Sequence, residues 1–222
     1  SSIKFSLISF HHYLNNPFEK SFFISPTDTS EVADIIMSLS PNKSHGPNGI
    51  PTKILQLMIH ELSPVIAKLF NLSFSKGKYP TILKVAKVIP IHKKSSKLLC
   101  NNYRPISILS NLDKILEKVM YKRQYKFLET NNLIYSLQFS FRKNYSTTLA
   151  LLNLTKNIKQ EIDRGKFGCC IFIDFQKVFD TVDHDILMKK LNHYGIRGIG
   201  NDWFKSYLSN RKQFVSINGS ES

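Results

Sequence analysis

Phe172-Ile173-Asp174-Phe175-Gln176-Lys177-Val178-Phe179-Asp180, FIDFQKVFD in one-letter code, is the stretch on which the reading of this chain turns. It grows out of an uninterrupted apolar run, Cys169, Cys170, Ile171, Phe172 and Ile173, which Lys166 and Gly168 precede and Asp174 closes. A short run rich in β-branched and aromatic residues predicts a buried central strand rather than a helix. Asp174 is then expected where a sheet meets solvent or ligand. A carboxylate in that place suits Mg²⁺, which takes one or two protein carboxylates and leaves its other positions to water and phosphate. Position alone fits equally an acid that only ends a strand or caps the next element.

The residues downstream add context. In TVDHDILMKKLNHYG, residues 181–195, Ile186, Leu187, Leu191 and Tyr194 recur at helical spacing. Asp183 or Thr181 is placed to cap the start, and Gly195 stands just past the end. Strand, acid, turn and amphipathic helix succeed one another. Continued through YGIRGIGNDWFKSYLSNRKQFVSINGSES, residues 194–222, this run closely resembles the first catalytic motif and adjoining segment of the reverse transcriptases of non-LTR retrotransposons, particularly the jockey-like mobile elements.

Composition sets the outer bounds. A chain of 222 residues, 42% hydrophobic and 12% aromatic, can bury the core of one domain or two small ones and is not a disordered tail. Its 31 Lys and Arg against 16 Asp and Glu leave a net charge of +15. The basic residues are spread along the chain and mixed with Tyr and Phe, as a groove tracking a phosphate backbone requires. An anionic membrane surface is the weaker competitor, and a solubilising charge the bland one. Cys169 and Cys170 are adjacent and Cys100 is alone, with no zinc-ligand spacing, so a reducing intracellular compartment is expected. No secretory signal and no apolar run of about eighteen residues occurs, and the expectation is no membrane partner.

Along the chain, Ser1 to Ser40 reads as an aromatic, irregular opening and then a short helix from Asp28 to Leu39. SLSPNKSHGPNGIP, residues 38–51, is a loop by its Pro, Gly, Asn and Ser content and carries Lys43. It is similar to a K-S-x-G-P-D-G-I element of the same family, with Asn48 where Asp is usual. Pro51 to Lys76 predicts one or two amphipathic helices, with Pro64 as the break or first turn of the second. KVAKVIPI, residues 84–91, and YRPISIL, residues 103–109, read as two strands joined by a basic loop, and Pro90 and Pro105 argue against fully paired interior strands. Lys93 and Lys94 just beyond one strand and Arg104 near the start of the next bring cations over one spot. A triphosphate suits them, because Arg grips phosphate oxygens bidentately and Lys adds a mobile point charge. A solvated basic turn is the alternative.

Other segments carry the same resemblance. Helix-forming residues 111–128 include LEKVMYKRQ, similar to the family's F-E-K-x-x-x-x-R-L element with Gln124 in place of Leu. QFSFRKNYST, residues 138–147, is similar to Q-F-G-F-R-x-x-x-S-T with Ser140 in place of Gly; if that Gly serves positive φ, Ser140 adds strain. Ser146 or Thr147 caps a helix through Ile162 to Gly165. Phe214 to Ile217 alternates as a half-buried strand, and Asn218-Gly219 is a hairpin signal, yet three residues are expected to be too few for a returning strand.

The resemblance, over about Ser40 to Ser222, implies a mixed α/β right-hand polymerase, here in part: an extension or linker over 1–40, fingers over 41–165 and the first part of the palm over 166–222. It implies an RNA-directed DNA polymerase, working in the nucleus with RNA template, DNA primer, deoxynucleoside triphosphates and Mg²⁺ or Mn²⁺. By it, Asp174 and the Phe175 backbone carbonyl hold metal, Lys93 and Arg104 hold the triphosphate, and Phe179 lies under the sugar, excluding a 2′ hydroxyl beside Val178. Lys43 and Arg142 are candidate nucleic-acid contacts. The family's Gly-Pro-Gln-Gly motif and Asp-Asp turn do not occur, so the chain is expected to be cut in mid-fold and inactive alone, since a two-metal site needs more than Asp174. The alternative is a noncatalytic nucleic-acid-binding remnant of a decayed element.

Overall fold

Residues 14, 16–42, 44, 46–47, 50–175, 178–217 and 220–221 are described by the structure, a computed structural model. The chain divides into two compact units, residues 1–126 with 184–222, and residues 127–183.

In the larger unit, α1 (Thr29–Met37) starts where the Asp28 carboxylate accepts from the Glu31 N–H at 2.7 Å, and buries Val32, Ile35 and Ile36. The segment before it is strapped down by its backbone. Phe18 and Phe22 donate to the carbonyls of His193 and Gly195, and Asn71 pairs with both polar groups of the Thr27 backbone. After the 38–50 loop come α2 (Thr52–Leu57) and α3 (Ile59–Lys76). The break falls at Met58 and not at Pro64, which lies inside α3. As the sixth residue of α3, Pro64 forfeits the bond to the His60 carbonyl, and the residue is exposed to solvent.

The sheet is built on β1 (Val85–His92), which pairs antiparallel with β2 (Tyr103–Ile108) and parallel with β3 (Lys212–Ile217); β4 (Ser220–Glu221) pairs with β3, giving the order β2-β1-β3-β4. Thus β1 has a strand on both sides at Lys87 and Val88, more than its proline suggested, and Pro90 falls beyond the β3 ladder. Pro90 stands opposite Pro105. The Lys93 N–H bond to the Asn102 carbonyl, 2.8 Å, sets the alternation that makes 90–105 a non-hydrogen-bonded pair, where neither missing N–H is needed. The expectation that too few residues remain for a returning strand is corrected: Ser216 faces Glu221 and Ile217 faces Ser220. Two intervening residues suffice for that register, although Asn218-Gly219 themselves lie outside the described residues.

Helix α4 (Asn111–Thr130) packs Ile115, Leu116, Val119 and Met120 into the core. Two later helices, α6 (His184–His193) and α7 (Ile199–Leu208), complete this unit. Between α4 and α6 in the chain, α5 (Thr147–Asp163) belongs to the smaller unit. Trp203 of α7 is the hub of the larger core. It is 1% exposed, donates from Nε1 to Ser73 Oγ at 3.0 Å, stacks on Tyr207 and meets Tyr79 edge-on. No described helix is long and apolar enough to cross a membrane.

In the smaller unit, Ser146 Oγ caps α5 by accepting from the Leu149 N–H, and Gly165, at φ 73°, stands just past its end. The expected buried strand at Cys169–Ile173 is corrected: these residues form no strand and are exposed, Phe172 at 83%. A strand needs neighbours for its N–H and C=O groups, and the described residues of 127–183 contain none. Apolar composition reports a tendency to be buried without supplying the partner that buries it.

Candidate functional site

The β1–β2 register decides the geometry of the basic hairpin. Arg104 stands opposite Ile91, and Lys93 is bonded across to Asn102. Because side chains alternate along a strand, Lys93 and Arg104 emerge diagonally on one face. Both are exposed, and among the described residues no carboxylate pairs with Lys93, Lys94, Lys97 or Arg104. The connecting loop is held by its own bonds: Asn102 Nδ2 donates to the Ser96 carbonyl at 2.7 Å, and Tyr103 Oη donates to the Lys97 carbonyl at 3.0 Å. His92 packs edge-on against Tyr103. A cationic face on a braced loop can receive an anion with little reordering.

The 44–50 loop is moored to the same sheet and to the start of α4. Gly46, at φ 60°, lies against the backbone of Leu109. Asn111 Nδ2 donates to the Ile50 carbonyl and Lys114 Nζ to the Ser44 carbonyl, at 2.8 and 2.9 Å. Lys43 and Asn48 lie outside the described residues. Arg123, the arginine of LEKVMYKRQ, braces α4 to the strap before α1. Its guanidinium takes both oxygens of Glu31 and the carbonyls of Ser25, Pro26 and Val119. Burial alone would raise the Glu31 pKa, but bonds from Arg123 and Thr27, with the Arg123 and Lys122 charges, bring it below the usual carboxylate range.

Between α4 and α7, Tyr207 donates to Glu117 Oε1 at 2.5 Å, and the Arg211 guanidinium lies 4.8 Å from the Tyr207 ring centre. Burial, then the Glu117 charge, raises the Tyr207 pKa. Asp113 is fully buried, and neither carboxylate oxygen has a hydrogen-bond partner. Burial first and Glu117 second push its pKa to about 7, against the opposing pull of Arg211 and Lys114. Lys84 is buried too, donating to the Ser209 carbonyl, and burial lowers its pKa.

In the smaller unit, Asp174 and Phe175 lie exposed on irregular backbone, and Gln176 and Lys177 lie outside the described residues. Phe179 is exposed and meets Phe141 edge-on at 6.4 Å. The strained backbone of this region is at Phe141, φ 61°, and Ser140 has no positive φ. Arg142 is engaged: it pairs with both oxygens of Glu129, donates to the Tyr135 carbonyl and lies 4.1 Å over the Tyr145 ring. A phosphate would have to displace Glu129 to reach it. Among the described residues no three His, Cys, Asp or Glu side chains gather as a metal site. Asp174 and one backbone carbonyl fall short of the carboxylate set a two-ion site requires.

Residues 91–222, beginning at the end of β1 and taking in the hairpin, FIDFQKVFD and β3, match the family described as reverse transcriptase (RNA-dependent DNA polymerase). The chain belongs to the reverse transcriptase family. It is 30% identical over 216 residues to the probable RNA-directed DNA polymerase from transposon BS of Drosophila melanogaster, covering 94% of this chain and 23% of that protein. It is 27% identical over 217 residues to the RNA-directed DNA polymerase from mobile element jockey of the same species, covering 95% and 23%. To the probable polymerase from transposon X-element it is 26% identical over 206 residues, covering 90% and 22%. The chain therefore spans about a quarter of the length of these relatives.

For a reverse transcriptase, the mixed helix-and-strand architecture is that of a partial polymerase fold, and enzymes of this family generally use divalent metal ions. The shared face of Lys93 and Arg104 follows from two strands that the sequence predicts. The buried Asp113 and the Gly46 mooring were not legible in the sequence. Asp113 stands three residues after Ser110, whose Oγ caps α4 by accepting the Asp113 N–H, a spacing that signals a helix start and nothing about burial.

Proposed function

We propose that this chain is part of a non-LTR retrotransposon polymerase that copies RNA into DNA, with residues 41–165 as fingers and 166–222 as the first part of the palm. The observation that carries the proposal is the pair Lys93 and Arg104, on one face of a braced hairpin, without acid partners among the described residues, inside a sequence of this family. Arg104 grips phosphate oxygens of the incoming deoxynucleoside triphosphate, and Lys93 adds a point charge that moves with them. Asp174 and the Phe175 carbonyl contribute to a divalent-ion site, Mg²⁺ or Mn²⁺, whose remaining carboxylates are not among the described residues. Bound metal would supply charge neutralisation at the reacting phosphate. Phe179 lies under the sugar and limits the 2′ position, while Lys43, and Arg142 once released from Glu129, approach the template–primer. The nucleus is the site of action under this reading.

The noncatalytic alternative, a nucleic-acid-binding remnant, draws on the ungathered metal ligands. Nucleotide kinetics separate the two. In a jockey-type polymerase carrying this segment in place of its own, Arg104→Ala should weaken incoming-nucleotide use roughly ten- to a hundredfold, the worth of a charged hydrogen bond, with little change in template–primer affinity. Arg104→Lys should recover little, because a point charge cannot reproduce the planar fork. Intact nucleotide kinetics with weakened RNA binding would move Arg104 to a template groove.

A further inference from the structure

Helices α4 and α7 leave an open groove of about 450 Å³ that the nucleotide hairpin does not share. Tyr121, Gln124, Phe204 and Tyr207 line it, with Lys114 and Lys118 on its α4 side. Its aromatic wall is firm, since Tyr207 stacks on buried Trp203 at 5.7 Å with the rings 5° from parallel. Tyr121 is 52% exposed, and its ring lies 5.4 Å from that of Tyr125.

Lys114, Lys118 and Lys122 recur every fourth residue, so they form a row along α4 with steps of about 6 Å. The ammonium of Lys118 donates to the Ser38 hydroxyl, a neutral acceptor, while that of Lys114 donates to the Ser44 carbonyl and to Asn111 Oδ1 and also feels the Asp113 carboxyl. Lys122 lies 3.8 Å from Glu31, whose charge Arg123 already engages. Among the described residues the one acid lining the groove, Glu117, accepts the Tyr207 hydroxyl.

We propose that this groove is a second nucleic-acid site, taking one or two unpaired bases of a single strand against Tyr121 and Phe204 while the lysine row holds the adjoining phosphates. Aromatic rings beside a line of cations are what sequence-tolerant single-strand binding uses. A helical protein partner would want a long aliphatic floor, and here the one aliphatic lining residue among those described is Met120. The proposal rests on the polymerase reading for the presence of a single strand.

Binding is measured by fluorescence anisotropy on the 222-residue chain, with an RNA of about twelve nucleotides and an abasic strand of the same length and charge. Tyr121→Ala should weaken RNA binding about fivefold to about a hundredfold and leave the abasic strand unchanged, while Tyr121→Phe keeps the affinity. Lys118→Gln should weaken both strands and reduce the salt slope by about one. A wild-type chain that binds RNA equally well after Tyr121→Ala overturns the groove alone, as does an equal loss on the abasic strand. A wild-type chain that binds no RNA overturns the groove and the polymerase reading together. Tyr121-dependent capture of a Leu- and Glu-rich amphipathic peptide, with RNA indifferent to Tyr121, would make the groove a protein site and overturn the proposal.

Discussion

A Cβ atom placed on Gly46 would stand 2.4 Å from the carbonyl oxygen of Leu109. The approach is backbone to backbone, at φ 60°, so no side chain can swing away to make room. It fixes the loop that carries Lys43 to the end of β2, the strand that bears Arg104.

Gly46→Ala is therefore expected to lower stability by more than the roughly 1–2 kcal/mol that a left-handed conformation costs alone. Gly46→Asn should fare no better, although Asn tolerates positive φ, because its Cβ meets the same carbonyl. Gly77 offers the contrast. It too has a positive φ, but its nearest contact would be 3.1 Å, so Gly77→Asn should be much milder. Thermal melting of the three variants checks the difference; equal losses at both sites would mean that conformation, and not the Leu109 contact, selects glycine at position 46.

Asp113 gives the fold a pH dependence of definite sign. Its pKa rises from 3.8 to about 7, so the native state keeps a proton that the unfolded chain releases. This contribution is fully present below about pH 4, declines as pH rises to about 7 and is flat above, a loss on the order of 4 kcal/mol. Asp113→Asn should remove that decline and be the more stable protein at pH 8. Denaturant midpoints of the two proteins from pH 5 to pH 8 test it, and parallel pH profiles would exclude Asp113 as the cause.

Arg123 is expected to act as a strut for α4. Arg123→Lys keeps the charge but cannot serve Glu31 and three carbonyls with one ammonium, and should cost about 2–3 kcal/mol. RNA affinity at fixed temperature should hardly move. A stability unchanged by Arg123→Lys, with RNA binding weakened, would instead make this arginine a nucleic-acid contact.

The range of the forces involved decides how much of the fold is legible in the sequence. Local signals are sound: the short helix after Asp28, Ser146 as a cap, the helix of residues 111–128, and the two strands flanking HKKSSKLLCNN all depend on neighbours a few positions apart. Pairings between distant residues are not visible. Nothing near Val85 announces β3, more than a hundred positions on, and the Trp203 hub draws on Ser73 and Tyr79, more than a hundred positions before it. Cys169–Ile173 shows the reverse case, a strand-like composition with no strand beside it among the described residues. At the candidate site, residue types are legible at Lys93, Arg104 and Asp174. The engagement of Arg142 by Glu129 is not, because that ion pair spans a turn that spacing does not encode.

The most direct test of the polymerase assignment is RNA-templated primer extension by a jockey-type polymerase in which residues 41–222 of this chain replace the matching segment, with and without Asp174→Asn. The prediction is extension that requires divalent metal and is abolished by Asp174→Asn, with RNA affinity retained. Extension of equal rate in the Asp174→Asn protein would contradict the assignment of FIDFQKVFD as the first catalytic motif.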